Sequence, residues 1–68
     1  MLTLGEALPR EIARVRDKLM PAYRAIGPAG AFRRHMMRAD LNRAGKALVE
    51  GDAPAMRRVY DALKAYKL

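Results

Sequence analysis

Two pieces of punctuation constrain this chain more than any other feature. Gly27-Pro28 and Glu50-Gly51-Asp52-Ala53-Pro54 cut it into three segments. Glycine readily takes the left-handed conformation that ends a helix, and proline fits the first turn of the next. Within each segment the apolar residues recur three and four apart. Leu8, Ile12, Val15, Leu19, Tyr23 and Ile26 form the first stripe, and Phe32, Met36, Met37, Leu41, Ala44 and Leu48 the second. Met56, Val59, Tyr60 and Leu63 form the third. That spacing repeats along one face of a helix, and there is no strand signal. The link at Gly51 is too short for anything but a tight turn, so the second and third helices form an antiparallel hairpin.

The expected fold is all-α: a small three-helix domain in which a kinked first helix packs on that helical hairpin. Helices are expected at about 9–26, 28–50 and 53–66 within a single domain over 1–68. Thr3 and Glu6 fit a capping box. Pro9 comes too late for the first turn behind that cap, so a short turn over 3–8 and a fresh helix near Pro9 are expected. Pro21 removes the hydrogen bond to Asp17 and predicts a kink. Gly51 is placed as a left-handed C-terminal residue, Asp52 as the cap of the third helix, and Pro54 in its first turn. Ala44 and Gly45 are small enough for another helix to approach, and Tyr66 extends the third helix.

A chain of 68 residues has room for one domain. Its core supplies no more than about 3–5 kcal/mol. With no cysteine there is no disulfide and no thiolate metal site, and the composition accords with a cytoplasmic location. Oligomerisation is a remaining way to add buried area. A homodimer is one such way; Met36 and Met37 either pack the core or, with Phe32, form a dimer or partner interface. The stretch from Met1 to Glu6 lacks the basic start and apolar run of a signal peptide. No apolar stretch approaches the roughly 20 residues of a membrane span.

The inventory of reactive groups argues against an enzyme. There is no Ser, Gln, Cys or Trp, and one each of Thr, Asn and His. Nucleophilic catalysis needs an activated hydroxyl, thiol, amine or carboxylate beside a base. The single aliphatic hydroxyl, Thr3, sits at a helix start, and the lone His35 lies among arginines. No cluster offers three or four metal ligands, so neither a metal nor a cofactor is expected.

What remains is charge. Fourteen bases face seven acids, a net charge of +7, and ten of the fourteen bases are arginine. GC-rich codon usage would account for arginine over lysine but leaves the net charge in place. Arg33, Arg34, Arg38, Arg43 and Lys46 are opposed by a single acid, Asp40. Arg34, Arg38, Asn42 and Lys46 stand four apart, a ridge of roughly 18 Å along the helix. These five bases are the candidate binding residues. The leading reading is an acidic protein surface as partner, and the alternative is sequence-tolerant binding of nucleic acid, whose phosphates have a similar spacing. The plain reading is a solvated helix face, although such faces usually mix their signs. Elsewhere the signs are mixed: Glu6 with Arg10, Glu11 with Arg14, Arg57 and Arg58 with Asp61, and Asp61 with Lys64 stand three or four apart. Arg10, Arg14 and Lys18 form a second basic row, with Glu11 and Asp17 beside it.

Three narrower patterns fit the chain poorly. A helix-turn-helix centred on Gly51 would put Lys46, Glu50 and Arg57 where buried residues belong, so major-groove reading is disfavoured. Single-strand stacking is poorly supplied, because the aromatics are only Tyr23, Phe32, Tyr60 and Tyr66 and three sit on apolar stripes. Ala47-Leu48, Gly51-Asp52, Tyr60 and Ala62-Leu63 look like the junction between tetratricopeptide repeats, yet no period of about 34 residues is present.

The stretch Met36-Met37-Arg38-Ala39-Asp40-Leu41, through Gly51-Asp52, to Tyr60-Asp61-Ala62-Leu63-Lys64 resembles small uncharacterised helical proteins of transposable, Mu-like bacteriophages and prophages. The likeness covers about half the chain and contains no catalytic or ligand motif. It implies a small accessory protein that acts by binding, on a host protein, and assigns no functional residue.

Overall fold

Thr3 starts the fold. Its hydroxyl accepts the Glu6 backbone N–H at 3.3 Å, and the Glu6 carboxylate accepts the Thr3 backbone N–H at 3.2 Å. This reciprocal capping box launches α1 (Leu4–Arg14). The fresh start expected at Pro9 does not occur, because Pro9 lies inside α1. The box already satisfies N–H groups of the first turn, and starting at Leu4 brings Leu8 into the core, where it is fully buried. Those gains offset the one hydrogen bond that Pro9 cannot make.

The computed structural model describes residues 2–67; Met1 and Leu68, the ends of the expected domain, lie outside them. After α1 the chain widens into a π turn (Val15–Leu19) and continues as α2 (Met20–Ala25). Arg14 and Leu19 keep right-handed helical angles, so the three pieces form one unbroken rod. In the π turn the Met20 N–H bonds to the Val15 carbonyl, five residues back. The irregularity expected from Pro21 thus takes the form of a register shift just before it, where an α-helical carbonyl would meet the proline ring.

Gly27, at φ 72°, leaves the helical path. A 3₁₀ turn (Gly27–Gly30) leads into α3 (Ala31–Glu50), which therefore begins three residues later than expected. Gly30 is required by space: a Cβ there would lie 2.1 Å from the Tyr23 carbonyl oxygen. At the far end Gly51 has φ 65°. Its N–H bonds to the Leu48 carbonyl at 3.3 Å, and the Asp52 N–H to the Ala47 carbonyl at 3.2 Å, a Schellman ending. The Asp52 carboxylate then accepts the Ala55 N–H and caps α4 (Ala53–Ala65). Tyr66 does not extend this helix; it turns out of it with extended angles.

The helices pack as a three-helix all-α domain, and the described residues contain no strand. α4 packs on both α1 and α3, which also touch each other, while α2 packs on α3. Leu8, Val15 and Leu19 meet Met37, Ala44 and Ala47 of α3 and Met56, Val59 and Leu63 of α4, with Tyr66 closing the end. Full burial of one such large side chain is worth about 1.5–3 kcal/mol.

The domain measures only 15 Å along its shortest axis, so every helix keeps a face in solvent. Three residues expected in the stripes are consequently exposed: Ile26 by 56%, Phe32 by 72% and Met36 by 41%. Ile26 lies beyond the end of α2. Phe32 and Met36 lie one to two turns before Asp40, the level at which the end of α4 is tied to α3 by Tyr66. Gly45, expected at a helix contact, instead faces solvent with open space around it, and Ala44 alone is buried.

Candidate functional site

The five candidate bases all sit on α3, yet they do not form one face. A row of residues four apart winds around a helix, turning by about 120° over twelve residues. Arg34, at the start of the ridge, leans against the core edge and is half-buried, and its buried Nε has no hydrogen-bond partner. Arg38 and Asn42 are exposed. Lys46, at the far end, opens onto a groove between α3 and α4.

The structure groups the bases by what lies beside them. Arg43 donates to Asp40 at 2.6 Å, and the other oxygen of Asp40 accepts the Tyr66 hydroxyl at 2.7 Å. Burial, then the hydrogen bond and the charge of Asp40, push the Tyr66 phenol up to about 12. The charges of Arg33 and Arg43 act in the opposite direction on the same phenol. Arg33, Arg34, Arg38 and Lys46 have no carboxylate within 4 Å among the described residues.

A stripe legible in the sequence but not used there now stands out. Phe32, Met36, Ala39, Arg43, Lys46 and Glu50 are spaced 4, 3, 4, 3 and 4, hence share one face of α3. All but Ala39 are exposed. Its first half is apolar and its second half charged. Met37, also expected at an interface, points the other way and is fully buried. Adjacent residues differ by about 100° on a helix, so Met36 and Met37 serve different surfaces.

The groove beside the charged half has a volume of about 400 Å³. Ala47 and Val59 form its buried floor, and Arg43, Lys46 and Arg58 stand around it. Arg58 was grouped with Asp61 on sequence spacing, but Asp61 pairs with Arg57 at 3.3 Å. Arg58 belongs to the site only because the hairpin folds it against α3, which no local spacing reveals.

Charge on the first helix is used differently. The Arg14 guanidinium holds Glu11 at 2.8 Å and donates to the Leu63 and Tyr66 carbonyls, both at 3.0 Å. It thereby binds two carbonyls at the end of α4, that of Tyr66 and that of Leu63, which also accepts the Tyr66 N–H at 3.1 Å. Tyr23 donates to the Lys67 carbonyl and ties down the same segment. Glu6 serves the capping box rather than Arg10, and Lys64 lies 5.6 Å over the Tyr60 ring rather than against Asp61. Arg10, Lys18 and Arg24 have no carboxylate partner among the described residues, so charge outside α3 is less compensated than the spacing implied.

No group of three or more potential metal ligands occurs among the described residues, and no described helix is long and apolar enough to cross a membrane. Compared with protein-family models, curated proteins and solved structures, the chain matches none.

Proposed function

We propose that this protein is a non-enzymatic binding module that engages an acidic surface of another protein through α3. The observation that carries the reading is the shared stripe: exposed Phe32 and Met36 continue into exposed Arg43 and Lys46. Interface energy concentrates in a few apolar or aromatic anchors, while surrounding charges steer and orient the partner. Arg33, Arg34 and Arg38 broaden the positive field around that stripe. The phage-type resemblance supports an accessory protein acting on a host protein, and the cysteine-free composition fits a cytoplasmic setting. A homodimer through Phe32 and Met36 would oppose two faces of like charge, so a foreign acidic partner is the better match.

Affinity capture with and without nuclease, followed by binding of the purified captured protein, tests this. Capture should survive nuclease, and Phe32→Ala should weaken binding by about tenfold or more. Nuclease-sensitive capture, or indifference to Phe32→Ala, removes the reading.

The second reading is sequence-tolerant nucleic-acid binding, favoured by the unpartnered Arg34 and Arg38 together with Arg10, Lys18 and Arg24. It requires a logarithmic salt slope near −0.9 for each duplex phosphate neutralised. A shallow slope with mixed-sequence duplex counts against it.

A further inference from the structure

We infer that the groove between α3 and α4 is the seat of an acidic, alanine-rich helical segment of the partner, with its carboxylates directed at Lys46 and Arg58. The inference rests on the reading of the protein as a protein-binding module and gives that reading a location and a ligand chemistry.

Three observations point to this occupant. The floor is apolar and low: Ala47 and Val59 are buried, and Ala55 and Ala62 flank them half-buried. Small side chains on both walls of this cleft of about 400 Å³ let a partner backbone approach closely where its own facing side chains are small as well. Around that floor the cations outnumber the acids, with Arg43, Lys46 and Arg58 against Asp40 and Glu50. The acids are also unequally free. Asp40 is held by Tyr66 and Arg43, whereas Lys46 and Arg58 have no carboxylate within 4 Å among the described residues. The uncommitted charge of the groove is therefore positive, and the matching ligand is anionic with small apolar side chains between its charges.

Glu50 gives the groove a direction. It stands at the Gly51 turn, at the opposite end from Asp40. An acidic segment that ran onto Glu50 would meet a like charge, so its carboxylates belong toward the middle of the groove and its neutral end toward the turn. A second copy of this chain is a poor occupant, because it carries the same net charge of +7. A nucleic-acid strand would track the unpartnered arginines and would make little use of the Ala floor.

The test uses the isotope-labelled full chain and three probes: a helix-forming peptide of glutamate and alanine, the same peptide with glutamine in place of alanine, and an oligothymidylate of equal charge. The Glu/Ala peptide should bind most tightly and shift the amide signals of Ala47, Ala55, Val59 and Ala62. Lys46→Gln combined with Arg58→Gln should weaken it by about tenfold, and Glu50→Gln should tighten it by about twofold. Arg34→Gln with Arg38→Gln should change it by less than about twofold. If the peptide binds but its losses follow Arg34 and Arg38, the groove is wrong and the protein-binding reading stands. If the oligothymidylate binds more tightly than either peptide, both are wrong. Equal binding of the Glu/Ala and Glu/Gln peptides removes the apolar floor from the inference, and absence of peptide binding overturns it outright. Circular dichroism of each variant confirms that losses do not come from unfolding.

Discussion

Two basic rows look alike in this sequence and do opposite things. Arg10, Arg14 and Lys18 on the first helix are spaced like Arg34, Arg38 and Lys46 on α3, with one step of eight in the latter. In the first row Arg14 spends its guanidinium inside the molecule, on Glu11 and on two carbonyls from the end of α4. In the second row Arg38 is exposed and has no carboxylate within 4 Å among the described residues. An arginine's five donors can serve as a staple for backbone or as a free grip for an external anion. The partner supplied by the fold decides which, not the spacing.

The sharpest way to break the comparison is to remove what the committed half depends on. Gly30→Ala puts a methyl group 2.1 Å from the Tyr23 carbonyl, where the first helix turns into α3. Backbone cannot give way as a flexible side chain does, so the cost is expected at about 3 kcal/mol or more. In a domain with a core of this size that amounts to loss of folding, read as a collapse of the thermal transition. A variant that melts like the parent shows that the turn is looser than the contact implies.

Arg14→Met keeps the aliphatic stem but removes the charged donor from the Tyr66 carbonyl and from the Leu63 carbonyl, which then keeps only the Tyr66 N–H. Hydrogen bonds to a charged donor contribute about 1.5–3 kcal/mol. Urea denaturation should show a loss in that range, whereas Arg38→Met, with no partner to lose, should stay within about 0.5 kcal/mol of the parent. Equal losses would mean that Arg14 is no staple.

Tyr66 tests the same clamp through pH. Its phenol is neutral in the fold and is held up to about 12 from an ordinary 10.0. Because the folded value is the higher one, the contribution is fully present below pH 10 and is lost as pH rises through 12. One tyrosine should ionise late in an ultraviolet titration, and Tyr66→Phe should remove that step at a stability cost of about 1 kcal/mol. Glu6 behaves conversely. Its hydrogen bonds from the Thr3 hydroxyl, then from the Thr3 backbone N–H, lower it from 4.5, so the capping box holds above that value and opens as pH falls through the depressed one.

These contrasts also show how much was readable beforehand. Caps and breaks were legible because they are local: Thr3 with Glu6, Gly51 with Asp52, and the three stripes all act within one or two turns. At Pro9 the preference of proline for starting a helix competes with a cap six residues earlier, and the cap wins. Phe32 and Met36 were legible as part of an apolar stripe, but periodicity reports a face, not whether another helix is long enough to cover it. The site was half legible. Arg43 and Lys46 were named from charge alone, but their companion Arg58 and the clamp of Arg14 on Tyr66 span 12 to 52 residues of chain and exist only after the helices dock.

Gly45 offers a smaller, opposite effect. Its Cβ position is open, and it lies in the middle of α3 away from any neighbour. Alanine there should stabilise the protein by about 0.5–1 kcal/mol through helix propensity alone. The same change at Gly30 is expected to unfold it, so the pair of melting curves separates a glycine used for space from one that is not.

The smallest effect on stability is expected from the change that matters most for binding. Replacing Arg34, Arg38 and Lys46 together by Gln removes three charges with no carboxylate within 4 Å among the described residues. Glutamine keeps helix propensity close to that of Arg and Lys. Stability should therefore move by no more than about 0.5 kcal/mol, and relief of like-charge repulsion along the row offsets part of what the half-buried stem of Arg34 loses. Partner binding should nevertheless weaken, because Lys46 serves the groove and Arg34 and Arg38 supply much of the surrounding positive field. For a protein partner the loss should combine with that of Phe32→Ala. For a nucleic-acid partner the triple variant should instead flatten the salt slope while Phe32→Ala changes little. A triple variant that folds normally and keeps wild-type affinity for a purified partner would reduce the row to a solvated helix face, and the two basic rows would then differ only in that one of them holds the fold together.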